Sequence, residues 1–329
     1  MKTEVNSSNR QSFYKPFSLG ILIASLLLLS GCKEEYLLFQ PKGEIAAQQT
    51  DLIIMSFLIM MIVVVPVIIM SVVFPIIYRS TRKETEKTKY IPNWEHSNKI
   101  EFWVWSIPCA IIIWLAIITY QTSFSLDPRK PIVSENPTMR VHVIALDWKW
   151  LFIYPEQEIA TVNELTIPVD TPVEFLITSD TVMNSFSIPS LGSMIYAMAG
   201  MENQLHLIGE EIGVYRGYSA NYSGFGFSGM KFKTHVVNNG DFDSWVNKVK
   251  SVNRTLTPAV YNKLAAKTKD HPVEHYSTIN PLTFNYIVEK YTGPQGSRTS
   301  NSSYINPFIT ESNINSPSKH IANESGEQH

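Results

Sequence analysis

Cysteine is nearly missing from this chain of 329 residues, which has two, Cys32 and Cys109. They lie far apart, and Cys109 sits inside an apolar run, so neither a disulfide framework nor a cysteine-rich zinc site can be assembled. An excess of positive charge is missing too. With 27 Lys and Arg against 29 Asp and Glu the formal net charge is -2, which removes the basic footprint that nucleic-acid binding needs. Charge of either sign is absent from residues 52–77 and 102–120. The near-zero mean hydropathy of the whole chain therefore averages an apolar first third with a water-soluble remainder and describes neither.

The start of the chain reads as a targeting segment. Residues 1–31 join a basic stretch (Lys2, Arg10, Lys15) to an apolar stretch, Leu19 to Leu29, and then to small residues before Cys32, the layout of a cleaved secretory signal. Leu29-Ser30-Gly31-Cys32 resembles a bacterial lipobox, which implies a diacylglycerol on the Cys32 thiol and cleavage just before it. The other reading is an incidental cysteine in a short apolar helix. The small residues directly ahead of Cys32 favour the lipobox.

Two membrane spans are expected next, at about 52–77 and 102–120, since roughly 20 apolar residues cross about 30 Å of hydrocarbon. Pro66 and Pro75 in the first and Pro108 in the second are tolerated where neighbouring helices re-satisfy freed carbonyls. Phe102, Trp103 and Trp105 open the second run, as rings do at the head-group level. The connecting loop, 78–101, carries Arg79, Arg82, Lys83, Lys87, Lys89 and Lys99, so the positive-inside rule makes it cytoplasmic and both ends of the hairpin external.

From about Asp127 the pattern changes to short alternating segments. Val173, Phe175 and Ile177 alternate with Glu174, Leu176 and Thr178; Met230, Phe232 and Val236 oppose Lys231, Lys233 and His235. These read as half-buried strands, with others at 140–147, 150–154, 164–167, 185–188, 204–207 and 213–218, and so many short strands favour a β-sandwich or barrel. After Gly240 the spacing of Phe242, Trp245, Val246 and Val249 is helical, and a second helix is expected from Pro258 to Lys267. Residues 293–329, rich in Ser and Asn, read as a disordered tail. The expected division is a signal at 1–31, a hairpin region at 32–126, a sandwich at 127–240, a helical extension at 241–292 and the tail.

A two-span hairpin followed by an external sandwich that begins with Asp147-Trp148-Lys149-Trp150 resembles subunit II of the haem-copper terminal oxidases. Ser185-Phe186-Ser187-Ile188-Pro189-Ser190-Leu191-Gly192 and Phe227-Ser228-Gly229-Met230 add to the resemblance, because that family places metal-binding loops there. It implies a membrane-anchored α+β protein with a cupredoxin-like sandwich. In the cytochrome c branch the loops hold a dinuclear copper centre bridged by two cysteine thiolates and completed by two histidines, a methionine and a glutamate carbonyl. The matching positions here are Ser219 and Ser223 for the thiolates, Asn184 and Phe227 for the imidazoles and Asn221 for the glutamate, leaving Met230. Hard serine hydroxyls cannot replace soft bridging thiolates. With Cys32 assigned to lipid and Cys109 to the bilayer, no cysteine is left for copper.

The segment from Met194 to Met201 looks like the quinol-oxidising branch of the cytochrome bo type. That resemblance implies haems and copper in a partner subunit I, a quinol donor for which it favours ubiquinol while the sequence leaves menaquinol open, proton pumping by the complex, and an accessory role for this chain in a bacterial inner membrane. Glu101, at the cytoplasmic mouth of the second span, matches the position of a glutamate that passes protons into the K pathway of subunit I; partial burial there would raise a carboxyl toward working pH. The plainer reading of Glu101 is a helix start at the head groups, where charge costs little.

The remaining candidates read as structural. Tyr218, Tyr222, Phe225 and Phe227 among Gly224, Gly226 and Gly229 look like aromatic packing. Met183, Met194, Met198, Met201 and Met230 read as gap-filling core residues before a thioether copper site. Asp147 between tryptophans reads as packing, and His96, His206 and His235 stand apart from any second ligand. Two alternatives remain at this point: a copper-binding cytochrome c oxidase subunit with unusual ligands, and a membrane lipoprotein that binds a ligand independently of any oxidase.

Overall fold

The computed structural model describes residues 37–78, 95–192, 194–280 and 283–292. The signal segment with Cys32, residues 79–94 of the connecting loop and the 293–329 tail lie outside the described residues.

The expected spans form two long helices, α1 (Glu44–Ile77, 34 residues) and α2 (Asn98–Ser125, 28 residues). Both extend past the apolar runs. Residues Glu44 to Gln49 are good helix formers with an acid in the first turn, which suits the positive end of the helix dipole. Three hydroxyls inside the helices return to carbonyls one turn back, Thr50 to Ala46, Ser71 to Val67 and Thr119 to Leu115, at 2.8–2.9 Å, which withdraws those donors from lipid. Among the described residues α1 buries Ala46, Thr50 and Ile59, and α2 buries none. Such apolar surface, left bare by the chain itself, calls for lipid or other helices.

The external domain is a sandwich of two mixed sheets. Ten strands follow one another: β1 (Met139–Leu146), β2 (Lys149–Tyr154), β3 (Ile159–Val162), β4 (Glu164–Pro168), β5 (Val173–Ser179), β6 (Asn184–Ser187), β7 (Met194–Ala197), β8 (Asn203–Leu207), β9 (Gly213–Ser219) and β10 (Lys231–Val237). Then come α3 (Asn239–Lys250), β11 (Thr255–Leu256), α4 (Pro258–Ala265), β12 (Glu274–Tyr276), β13 (Thr278–Ile279) and α5 (Thr283–Thr292). One sheet runs β12-β3-β2-β1-β5-β8 and the other β4-β10-β9-β6-β7, with β11-β13 as a separate pair. The sequence pattern anticipates eight of these strands to within a residue or so but not β3 or β7, which are short and lack alternation. The 241–292 segment is only partly helical, because its β12 adds an edge to the larger sheet through pairing with β3.

The core between the sheets is aromatic. Phe186 stacks on Phe232 with centroids 5.3 Å apart and planes 4° from parallel, and Trp150 meets Phe186 edge-on at 5.4 Å. Strands β1, β2 and β5 are not half-buried as alternation implies. Val141, Val143, Phe175 and Ile177 face the core, while Ile144, Leu146, Leu151, Ile153 and Leu176 face a second apolar cluster built with Tyr261, Leu264, Phe284 and Ile287 of the C-terminal segment. The extension thus covers the outer face of the sheet. Helix caps mark its turns: Asn238 Oδ1 accepts from the Asp241 amide at 2.8 Å, and the Thr257 hydroxyl accepts from the Val260 amide at 3.3 Å ahead of Pro258.

Hairpin and sandwich meet just above the helices. The Lys42 amide donates to the Ser190 carbonyl at 2.7 Å, the Glu210 amide donates to the Lys42 carbonyl at 3.0 Å, and the His206 amide donates to the Pro128 carbonyl at 3.0 Å. Gly43 is required at the first of these crossings, because a Cβ there would press into the Ile208 carbonyl.

Candidate functional site

The positions singled out by resemblance converge at one end of the sandwich. Asn184 opens β6 and Ser219 closes β9, and both are buried. The Ser219 hydroxyl donates to Asn184 Oδ1 at 3.2 Å, and Asn184 in turn donates to the Val182 carbonyl at 2.9 Å. Asn221 Nδ2 donates to the Met183 carbonyl at 3.0 Å, tying the β9–β10 loop to the β5–β6 loop. Met230 is buried at the base of the β9–β10 loop, where its carbonyl accepts from the Ser219 amide at 3.1 Å. Phe227 begins a 3-10 turn (Phe227–Gly229) and packs edge-on against Tyr222 at 5.6 Å. Ser223 lies farther along the loop, its carbonyl accepting from Trp148 Nε1 at 3.0 Å. The structure therefore joins Asn184, Ser219 and Asn221 into one hydrogen-bonded unit, with Ser223, Phe227 and Met230 around it.

Trp148 carries the strain at this end. Its φ of 62° puts a bulky residue in the left-handed region, where such side chains are outliers. Three features hold it: the indole hydrogen bond to Ser223, the edge of Phe225 at 6.5 Å, and Gly226 flat beneath the ring, where a Cβ would overlap the indole. Asp147 serves packing through its carboxylate, which accepts from the Thr181 hydroxyl at 2.6 Å. Two expectations need correcting here. Tyr222 and Phe225 make the expected ring contacts, with Phe227 and Trp148, but are surface residues and not core, Phe225 being 81% exposed. Met183, Met194 and Met201 are likewise exposed rather than core, lying in the β5–β6 loop, on the edge strand β7 and in the β7–β8 connection. Among the described residues no group of three His, Cys, Asp or Glu side chains could hold a metal ion.

Two relatives speak to what this arrangement belongs to. The chain is 54% identical over 271 residues to "Ubiquinol oxidase subunit 2" of Acetobacter aceti, spanning 82% of this chain and 86% of that protein. It is 50% identical over 286 residues to "Cytochrome bo(3) ubiquinol oxidase subunit 2" of Pseudomonas putida, spanning 87% and 90%. The chain belongs to the subunit 2 family of the ubiquinol oxidases. More distantly, "Quinol oxidase subunit 2" of Bacillus spizizenii is 39% identical over 278 residues, spanning 84% and 83%. Residues 155–237 match the family described as "Cytochrome C oxidase subunit II, periplasmic domain", and residues 250–295 match the "COX Aromatic Rich Motif". The family is that of an oxidoreductase complex of the haem-copper oxidases, and the chain is a membrane-anchored subunit with an external domain.

The aromatic-rich segment explains a residue that sequence reasoning missed. Asp180, at the end of β5 beside the candidate loops, has a side chain 1% exposed. It accepts from the Tyr261 hydroxyl at 2.6 Å, Lys290 Nζ at 2.7 Å and the Tyr291 hydroxyl at 2.8 Å. Burial and the Asp180 charge push the Tyr261 phenol far above its ordinary range, so it stays a donor at every relevant pH. Alternation gives no hint of this node, since its partners are 81 to 111 residues away.

The histidines also find partners the spacing does not reveal. His206 and His235 sit on strands β8 and β10. His235 Nε2 stands 3.5 Å from Glu164, whose other oxygen is 2.6 Å from His275 Nε2. The His275 hydrogen bond holds the Glu164 carboxyl below its usual range against the opposing effect of burial. Buried Lys149 donates to the Ala266 carbonyl at 2.7 Å, where a cation suits the end of α4, and burial lowers its ammonium below the usual range. Glu101 lies in the first turn of α2, exposed on this chain, with its amide donating to the Ser97 carbonyl at 2.9 Å.

Proposed function

We propose that this chain is the accessory second subunit of a quinol oxidase in a bacterial inner membrane, holding no redox metal of its own. Haems and copper belong to a larger partner subunit I, which takes electrons from ubiquinol, reduces oxygen and pumps protons. The observation that carries this reading is the donor set at the end of the sandwich. Asn184 and Asn221 offer amides already engaged with Ser219 and Met183, Ser219 and Ser223 offer neutral hydroxyls, Phe227 offers no donor atom, and Met230 supplies a lone thioether. A dinuclear copper centre needs soft bridging thiolates and imidazoles, so these residues do not fit it. A donor that dissolves in the membrane makes such a relay unnecessary.

Purification of the complex in mild detergent tests the reading. This chain should co-purify with haem and a larger subunit, and quinol oxidation should proceed without added cytochrome c. Stoichiometric copper on the isolated chain with an intense visible absorption, or turnover that requires cytochrome c, would refute it.

Two residue assignments belong to the same proposal. Glu101 passes protons toward subunit I from the cytoplasmic end of α2, where its exposure on this chain leaves it open to a partner subunit. Glu101→Ala should slow reduction of the oxygen site by about a hundredfold, the low side of the ~10²–10⁴ that positioned acid–base groups contribute, with haem content unchanged. Normal turnover in that variant would leave Glu101 as a helix start only. Cys32 carries the lipid, and both mature termini face outward. Because two spanning helices already insert almost irreversibly, Cys32→Ser should stay in the membrane fraction; its recovery in the soluble periplasmic fraction would show that the acyl chains are the anchor.

A further inference from the structure

A cleft of about 280 Å³ opens where the hairpin meets the sandwich, bounded by the first turns of α1, the exit of α2 through residues 125–133, and β8. Its height in the membrane follows from the helices. Glu44 stands eight residues before the charge-free run that begins at Leu52, roughly 12 Å at 1.5 Å per residue, and Ser125 stands five residues beyond Tyr120, roughly 8 Å. The hydrocarbon is about 30 Å thick and the bilayer with its head groups about 40–45 Å, which leaves roughly 5–8 Å of head groups on each side, so the cleft opens at the outer edge of the head-group layer of the outer leaflet and rises a few Å above it.

The lining combines both signs of charge with apolar surface. Glu44 and Asp127 contribute carboxylates and Lys130 an ammonium, Gln48 donates to Glu44 at 3.0 Å, and Ile45 and Leu205 form apolar wall. The Asp127 carboxylate also accepts from the Arg129 amide at 2.9 Å, which fixes it at the rim. Two carboxylates against one ammonium disfavour a ligand that is only an anion. The volume is at the lower bound of ligand clefts, roughly 300–1,000 Å³, which suits a polar head with its glycerol and not a whole lipid or a long-chain quinone.

We infer that this cleft binds the head group of a zwitterionic aminophospholipid, its phosphate on Lys130 and its primary ammonium between Glu44 and Asp127, the acyl chains running down beside α1 and α2. The inference rests on reading the two helices as a membrane hairpin. A bound lipid there would join the external domain to the bilayer at the point where backbone hydrogen bonds from Lys42 and His206 already join it to the hairpin.

The delipidated oxidase complex, titrated with dioleoyl phosphatidylethanolamine, phosphatidylcholine or phosphatidylglycerol and read by native mass spectrometry, tests it. Phosphatidylethanolamine should be retained about tenfold more tightly than either other lipid; Lys130→Glu should abolish that retention, and Glu44→Gln should remove the preference over phosphatidylcholine. Equal retention of the three lipids, or retention unaffected by Lys130→Glu, would overturn the proposal. Should a variant fail to assemble, a phosphatidylethanolamine with a photoactivatable head group decides on the unaltered complex: labelling within residues 125–133 supports the site, and labelling confined to other segments or subunits rules it out. Release of the chain by alkaline carbonate without detergent would instead refute the membrane hairpin itself.

Discussion

Asp180→Ala should destabilise the external domain by about 3–5 kcal/mol, the range expected when a buried, hydrogen-bonded charge loses its partner group. The carboxylate is 1% exposed and accepts from two phenols and one ammonium. The Lys290 contact adds least, since that ammonium is 45% exposed and can return to water. Tyr261 is the costly partner, because its hydroxyl is left buried with nothing to donate to. Thermal or denaturant unfolding of the full chain in detergent, followed by tryptophan fluorescence, measures the loss. Asp180→Asn, which keeps the shape but not the charge, should fall between the alanine variant and the parent. A loss below about 1 kcal/mol for Asp180→Ala would mean that the apolar contacts of Phe284 and Ile287 hold the extension unaided.

Acid should weaken the same domain in two separate steps, the first belonging mainly to His142, with His271, also lowered by burial, acting in the same direction. His142 lies on the outer face of β1 with its ring 4.4 Å from that of Phe284. Burial, helped by the Arg140 charge and opposed by Glu174, lowers its imidazole from 6.5 to about 4. The unfolded chain therefore takes up the proton first. Stability is complete above about pH 6.5 and is lost as the pH falls toward 4, by at most about 3 kcal/mol for a shift of this size at 1.36 kcal/mol per unit. Glu164 acts lower on the scale. Its carboxyl is held below the ordinary 4.5, so its contribution is present above that value and is lost as the pH falls through the depressed one. His142→Phe should flatten the profile between pH 6.5 and 4.5 while leaving the decline below 4.5 in place. An unchanged slope in that variant would assign the first step elsewhere.

Much of this molecule is written locally. The spans are legible because charge is absent over residues 52–77 and 102–120, and a bilayer imposes a length that composition alone reveals. The strands are legible wherever apolar residues alternate, as in Val173, Phe175 and Ile177, and the proposed misfit of the loop residues to bridging copper rests on residue identity, since Ser219 and Ser223 carry hydroxyls in place of thiolates and Phe227 carries no donor atom. What required the tertiary structure is everything that depends on partners distant in the chain. Leu176, Ile144 and Leu146 look like a solvent face until α4, α5 and β12 cover them. Met183, Met194 and Met201 look like core until the fold leaves them on an uncovered edge. The left-handed Trp148 and the Asp180 node arise from loops brought together across 75 to 111 residues. Periodicity and composition report which surfaces want to leave water; which of them meet, and which buried charge finds its donors, is decided only when the sheets close and the C-terminal segment folds back over them.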